Sequence, residues 1–267
     1  MRRNVSRAGL NRKHRNQRYR VRNWTDCLPD VPAFIIGNAP SVNEHNLDLI
    51  KDYFSVGLNR IFKKLDTTIL LWQDVSLWTT DYHRIHNTQA LKVARDIADP
   101  RRIYYNFHLK GGPYKFDRTK SHVLYGRGSS GPLAVQLAVS MGCNPIILLG
   151  MDCKRGPQGE SDFYGDNPHW LPHTLDQCDR GLKFLKEECP VEIISCGNAD
   201  EYWDSLTLKE VLNRIDPKYA MGRQQYVKQI LSRLISLTLP YIALLNLSKS
   251  IFNAHLRDLW SRNTLCL

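Results

Sequence analysis

Through the middle of the chain, short apolar runs alternate with polar turns, and most of the runs stop abruptly. Residues 33–36, 53–58, 67–72, 103–107, 145–150 and 191–196 are four to six residues long and rich in β-branched and aromatic side chains, which predicts six strands. Apolar positions at helical spacing between them predict helices at 41–52, 90–97, 132–141, 175–188 and 203–215. Ser41 is the expected N-cap of the first, with Glu44 as its capping-box partner. Pro132 opens the third, capped by Ser130 or Gly131, and the fourth turns Leu175, Cys178, Leu182 and Leu185 to one face. Strands alternating with helices predict an α/β fold: an open, mostly parallel, Rossmann-like sheet flanked by helices.

In such a sheet a ligand lies beyond the carboxyl ends of the strands, so the polar residues found there matter. Asn38, Asn59 and the pair Gln73/Asp74 close three successive strands. Side-chain amides donate and accept at once, which suits a base and a ribose. The turn from Gly37 to Ser41 and the turn Gly128-Ser129-Ser130-Gly131 each lead from a strand or loop into a helix, where free backbone N–H groups hold phosphate. The central run at 145–150 ends in Met151 and Asp152, and the loop beyond it gathers Tyr164, Asp166, His169, Trp170 and His173. That loop is the candidate site around which the chain is organised.

Charge changes the picture at the ends only. The chain has 267 residues and a formal charge of +11, but residues 1–30 hold nine Lys/Arg against two acids and residues 218–267 hold seven against one. The expected organisation is a basic, partly disordered arm (1–30), a nucleotide-binding and catalytic domain (31–217), and a basic, Leu-rich helical extension (218–267). Residues 1–22 have no apolar core and do not read as a secretion signal; they suit nucleic-acid phosphates or anionic lipid headgroups. The run at 231–251 is broken by Arg233, Pro240, Asn246 and Lys249, so no 18-residue apolar window exists to span a membrane. It is expected to pack on the body or on a second subunit, or to lie in a membrane interface. Seven scattered cysteines without metal spacing fit a reducing compartment, and the expected place is the cytoplasm, peripheral to the inner face of the membrane.

His169 and His173 are four residues apart, but Pro168 and Pro172 exclude the regular helix that would aim both at one metal. Either imidazole can instead accept a proton from a hydroxyl as it attacks an activated donor.

The motifs resemble those of the bacterial CMP-sialic-acid-dependent sialyltransferases of the lipooligosaccharide type, and of related Rossmann-like proteins with the same opening turn. Gly37-Asn38-Ala39-Pro40-Ser41 is similar to the family's Gly-Asn-Gly-Pro-Ser turn, with Ala39 in place of the second Gly. Leu58-Asn59-Arg60 resembles its second-strand Asn, Ser129-Ser130-Gly131 its small-residue turn, and Gly150-Met151-Asp152 the Gly-Ile-Asp end of its central strand. Asp166-Asn167-Pro168-His169-Trp170-Leu171-Pro172-His173 resembles its Asp-Asn-Ser-His-Tyr-Ile-Gly-His segment. The resemblance spans roughly residues 33–200.

It implies His173 as general base, with His169, Asp152 and Tyr164 as further catalytic candidates. Gly37, Asn38, Ser41, Asn59, Ser129, Ser130, Gly131, Asp166 and Trp170 are then the donor-binding candidates. Tyr164 stands where the family's tyrosines donate to the donor phosphate, whereas Trp170 has no hydroxyl to offer. The implied activity moves a sugar from a nucleotide-sugar donor, a CMP-sugar in first place, to a hydroxyl of a glycan or glycolipid, with no metal required. The alternatives are a diphosphokinase-like transferase using magnesium at Asp152 and Asp166, a glycosyltransferase acting on nucleic acid, and a noncatalytic nucleotide-binding protein.

Overall fold

A computed structural model describes residues 23–236, apart from 102, 168, 169, 171, 172, 198 and 200. The basic segment 1–22 and the apolar run beyond residue 236 lie outside the described residues. Eight strands form one sheet: β1 (Ala33–Ile36), β2 (Ser55–Leu58), β3 (Ile69–Trp72), β4 (Leu91–Arg95), β5 (Tyr105–Lys110), β6 (Val123–Tyr125), β7 (Ile146–Leu149) and β8 (Ile193–Ser195). Their order is β6-β5-β4-β3-β2-β1-β7-β8, and every neighbouring pair is parallel. β1, β2, β3 and β7 are buried at every position. Helices cover both faces of a parallel sheet, which is why these strands read as unbroken apolar runs rather than as alternation.

The helices are α1 (Val75–Asn87), α2 (Ser130–Ser140), α3 (Thr174–Glu188), α4 (Leu208–Arg214) and α5 (Arg223–Ser236). One face of the sheet carries Ile35, Val56 and Leu71 against α2, Leu182 and Leu185 of α3, and Tyr226 and Ile230 of α5. The other carries Phe34, Trp72 and Ile147 against Leu77 and Ile85 of α1 and Val211 of α4. The segment expected to be an arm enters the first core from Trp24, whose N–H donates to Ser121 Oγ at 2.7 Å. Tyr226 anchors α5: it is fully buried, its ring lies 5.6 Å from that of Phe54, and its hydroxyl donates to Tyr219 O at 2.5 Å. Among the described residues no helix is long and apolar enough to cross a membrane.

The elements correct the sequence pattern in six places. Residues 90–97, expected to be helical, form β4 and a 3-10 turn, because pairing with β3 and β5 completes the sheet there. α1 was not expected; its buried stripe is Leu77, Asp81 and Ile85, and the carboxylate at its centre interrupts the apolar pattern. Asp81 is buried because Arg60 Nε donates to it at 2.9 Å. Residues 41–52 form two 3-10 turns rather than one helix, and Ser41 caps neither, since its hydroxyl donates to Asp152 Oδ1 at 2.5 Å. α2 begins at Ser130 with Ser129 at the N-cap, so Pro132 is two residues inside it. β6, a three-residue strand, also escaped the pattern, and the helix expected from 203 begins at Leu208 behind a Thr207/Glu210 capping box.

A candidate nucleotide cavity at the strand ends

Strand order reverses between β1 and β7. From β1 the chain works outward to β6, then α2 carries it back across the sheet to β7 on the other side of β1. A crevice must open at the carboxyl ends of those two strands. Its backbone is closely fitted: Gly37 N–H donates to Leu149 O at 2.8 Å and Ala39 N–H to Gly150 O at 3.0 Å. A Cβ on Gly37 would lie 2.0 Å from Gly150 O, so this turn requires glycine. Beside it lies a cavity of about 570 Å³ reaching from β7 to β5, within the range of small-molecule sites.

The cavity brings together most of the predicted residues. Gly37, Asn38, Asn59, Ser129, Ser130, Gly131, Asp152, Trp170 and His173 all line it. Asn38 uses its amide to tie the strand ends together, donating to Leu58 O at 3.0 Å and accepting from Arg60 N at 3.2 Å. Asp152 is buried and accepts from both the N–H and the hydroxyl of Ser41, which fixes the turn after β1 to the end of β7. The first turn of α2 has no side-chain cap, so its N–H groups keep the helix-terminal preference for an anion. Gln73 holds that turn in place by donating to Gly128 O at 2.6 Å and to Ser130 Oγ at 2.9 Å. His173 is the exposed N-cap residue of α3, facing the cavity from the rim.

Three predicted residues lie apart from the cavity, and one cannot be located. Ser41 sits behind Asp152 and lines a smaller hollow. Tyr164 packs on the Arg60 side, its hydroxyl 3.4 Å from Arg60 Nη1 and the Lys63 ammonium 4.6 Å from its ring centroid. Asp166 is exposed and paired with Arg155 at 3.1 Å, and the same guanidinium lies 5.4 Å from the Trp170 ring centroid. His169 is outside the described residues.

Two buried polar atoms in the cavity wall have no hydrogen-bond partner among the described residues: Asn59 Oδ1 and Arg95 Nε. Native structures rarely leave such atoms unpaired without a reason. Asn59 also has a φ of 48°, in the left-handed backbone region that few residues other than Gly and Asn occupy. Arg95 was missed because residues 90–97 read as a helix; once they are a strand, it is the residue at the end of β4. Asp162 was missed as well. It lies in the cavity wall, is buried, and accepts from Ser161 Oγ at 3.3 Å. Burial pushes its carboxyl above the ordinary value, against hydrogen bonds from Asn167, Tyr164 and Ser161 that act the other way. No pattern in the sequence distinguishes it from other loop aspartates.

No protein-family model and no curated protein sequence matches the chain. Among solved structures, the MAf glycosyltransferase from Magnetospirillum magneticum AMB-1 is similar with a TM-score of 0.52 at 14% identity, over 82% of this chain. The chain spans 39% of that protein's length. The sialyltransferase CstII from Campylobacter jejuni, in complex with cytidine-5'-monophosphate, gives a TM-score of 0.40 at 15% identity, over 62% of this chain and 80% of its own. At 14% identity the likeness to the first of these is one of fold alone, an open and parallel Rossmann-like sheet.

Proposed function

We propose that the chain is a glycosyltransferase that takes a sugar from a nucleotide donor, a CMP-sugar in first place, and passes it to a hydroxyl of a glycan or glycolipid. The observation that carries this reading is the pair of unpartnered atoms in one cavity at the switch point: an acceptor on Asn59 and a donor on Arg95. β2 and β4 are two strand spacings apart, about 10 Å, the scale of an extended nucleotide-sugar. In this reading Asn59 accepts from the nucleoside, the first turn of α2 holds the leaving phosphate, and Arg95 meets a further anionic group of the donor or acceptor.

His173 takes the proton of the acceptor hydroxyl as that oxygen bonds to the anomeric carbon. The bond from carbon to phosphate oxygen breaks, and the nucleotide leaves with the electron pair. Fixed N–H dipoles aimed at the leaving group stabilise the charge that develops on it. The magnesium-dependent alternative needs Asp152 and Asp166 to converge. Asp152 accepts from Ser41, and Asp166 is exposed and paired with Arg155.

Calorimetric titration with CMP, CDP, UDP, ATP and GDP, followed by CMP-sugar turnover with and without EDTA, tests the reading. CMP is expected to bind, and His173→Ala should lose about 10²- to 10⁴-fold in turnover with CMP affinity kept. Binding of none of the five nucleotides overturns the site. Turnover that needs magnesium and survives His173→Ala overturns the mechanism, and a loss confined to Asp162→Asn moves the base to that carboxyl.

A further inference from the structure

The proposed reaction leaves two thiols in the cavity wall without a task. Of the six described cysteines, Cys27, Cys143 and Cys196 are buried, and Cys189 is half-buried away from the cavity. Cys153 and Cys178 both line it, one in the loop after β7 and the other in the second turn of α3. The two thiols are neighbours across this wall, and the Cys153 thiol donates to Leu175 O at 3.4 Å, one turn before Cys178 on the same helix. Cys153 has a φ of 55°, a left-handed conformation that few non-glycine residues adopt.

We propose that Cys178 and Cys153 form a redox modification site, at which a peroxide converts the pair into an intramolecular disulfide across the cavity wall. The two sulfurs differ in the way such a step requires. The hydrogen bond with Cys153, joined by one with Ser129, draws the Cys178 thiol below its ordinary value although burial opposes it. The same bond, together with burial, pushes Cys153 up. Burial also pushes up Cys189, and raises Cys27 and Cys196 to about 12. Cys178, which also sits in the early turns of α3 where the helix favours a thiolate, takes the attacking role, and Cys153 the resolving one.

The Cys178 sulfur attacks one peroxide oxygen and the O–O bond breaks. The second oxygen leaves as hydroxide and takes a proton to become water, while Cys178 becomes a sulfenic acid. The Cys153 sulfur then gives up its proton and attacks the Cys178 sulfur. The S–S bond forms as the sulfenic oxygen departs, also as water. Two thiols lose two electrons and one hydrogen peroxide is reduced to two waters. Both side chains must rotate to bring the sulfurs to bonding distance. The bond would draw Cys178 away from Ser129, and a thiol reductant would reverse it.

This site does not depend on the glycosyl-transfer reading, and its test uses no nucleotide. The full chain is treated with hydrogen peroxide and mapped by peptide mass spectrometry under non-reducing conditions. The expected product is a cross-link between residues 153 and 178, lost on adding dithiothreitol. In Cys153→Ser, dimedone should trap a sulfenic acid at Cys178. On the untreated chain, iodoacetamide should alkylate Cys178 about tenfold faster than Cys189. The absence of the 153–178 cross-link after peroxide treatment, or labelling of Cys189 as fast as Cys178, overturns the proposal. Both of these readouts come from the unaltered chain and hold even if the variant fails to fold.

Discussion

Arg95 is the residue on which the site turns. A charged donor that loses its ligand contact gives up roughly 1.5–3 kcal/mol, so Arg95→Gln should weaken binding of an anionic nucleotide-sugar by about tenfold or more, measured by calorimetry against unaltered protein. Arg95→Lys, which keeps the charge and loses the Nε–H, should recover only part of that. Asp117 makes a different residue-scale prediction. Hydrogen bonds from Thr119 and from the Tyr125 hydroxyl at 3.0 Å hold its carboxyl at about 2, below the ordinary 3.8. Its folded value is depressed, so its stabilising contribution is present above 3.8 and disappears as pH falls through about 2. Thermal midpoints of wild type and Asp117→Asn should differ at neutral pH and converge through that window. Asn59 was legible in the sequence because it ends an apolar run. Arg95 and Asp162 were not, because the position of the first depends on a strand that only its neighbours specify, and the burial of the second arises from the fold around it.

At the scale of elements, the turn after β1 and the end of β7 form one object. A methyl group on Gly37 would collide with the carbonyl of Gly150, a backbone atom that cannot swing aside. Gly37→Ala should therefore cost about 2–3 kcal/mol, read as a lower urea midpoint at unchanged slope. Gly111 also lines the cavity, but a Cβ there would meet only the end of the Arg127 side chain at 3.7 Å. Gly111→Ala should stay within about 0.5 kcal/mol of wild type. The strands buried on both faces were readable from their unbroken apolar runs. α1 was hidden by Asp81, whose partner Arg60 lies on a different segment, and β4 by Lys92, a cation near the start of a strand whose ammonium reaches the carbonyl of Thr88. The Asp81–Arg60 pair and the pairing of β4 with β3 and β5 join separate segments and leave no local mark in the sequence.

At the scale of the molecule, the parallel architecture was expected and is observed, although with eight strands where the apolar runs indicated six. The reversal of strand order that creates the cavity also governs the order of assembly. β1 pairs with β2 and, on its other side, with β7, joining Ala33 to Ile146 more than a hundred residues along the chain. Closing a loop of that length costs entropy before any contact repays it, and chains dominated by such pairings fold slowly. Strands β1 to β6 pair in chain order, whereas the β1–β7 seam requires α2 to bring the chain back across the sheet. During refolding, recovery of nucleotide binding should accordingly follow the slowest phase, behind the rise of far-ultraviolet dichroism; binding that returns with the first phase would show the seam forming early. The crevice thus rests on the longest-range pairing β1 makes, and a chain in which that seam is open would keep the pairing of β1 through β6 and have no cleft between β1 and β7.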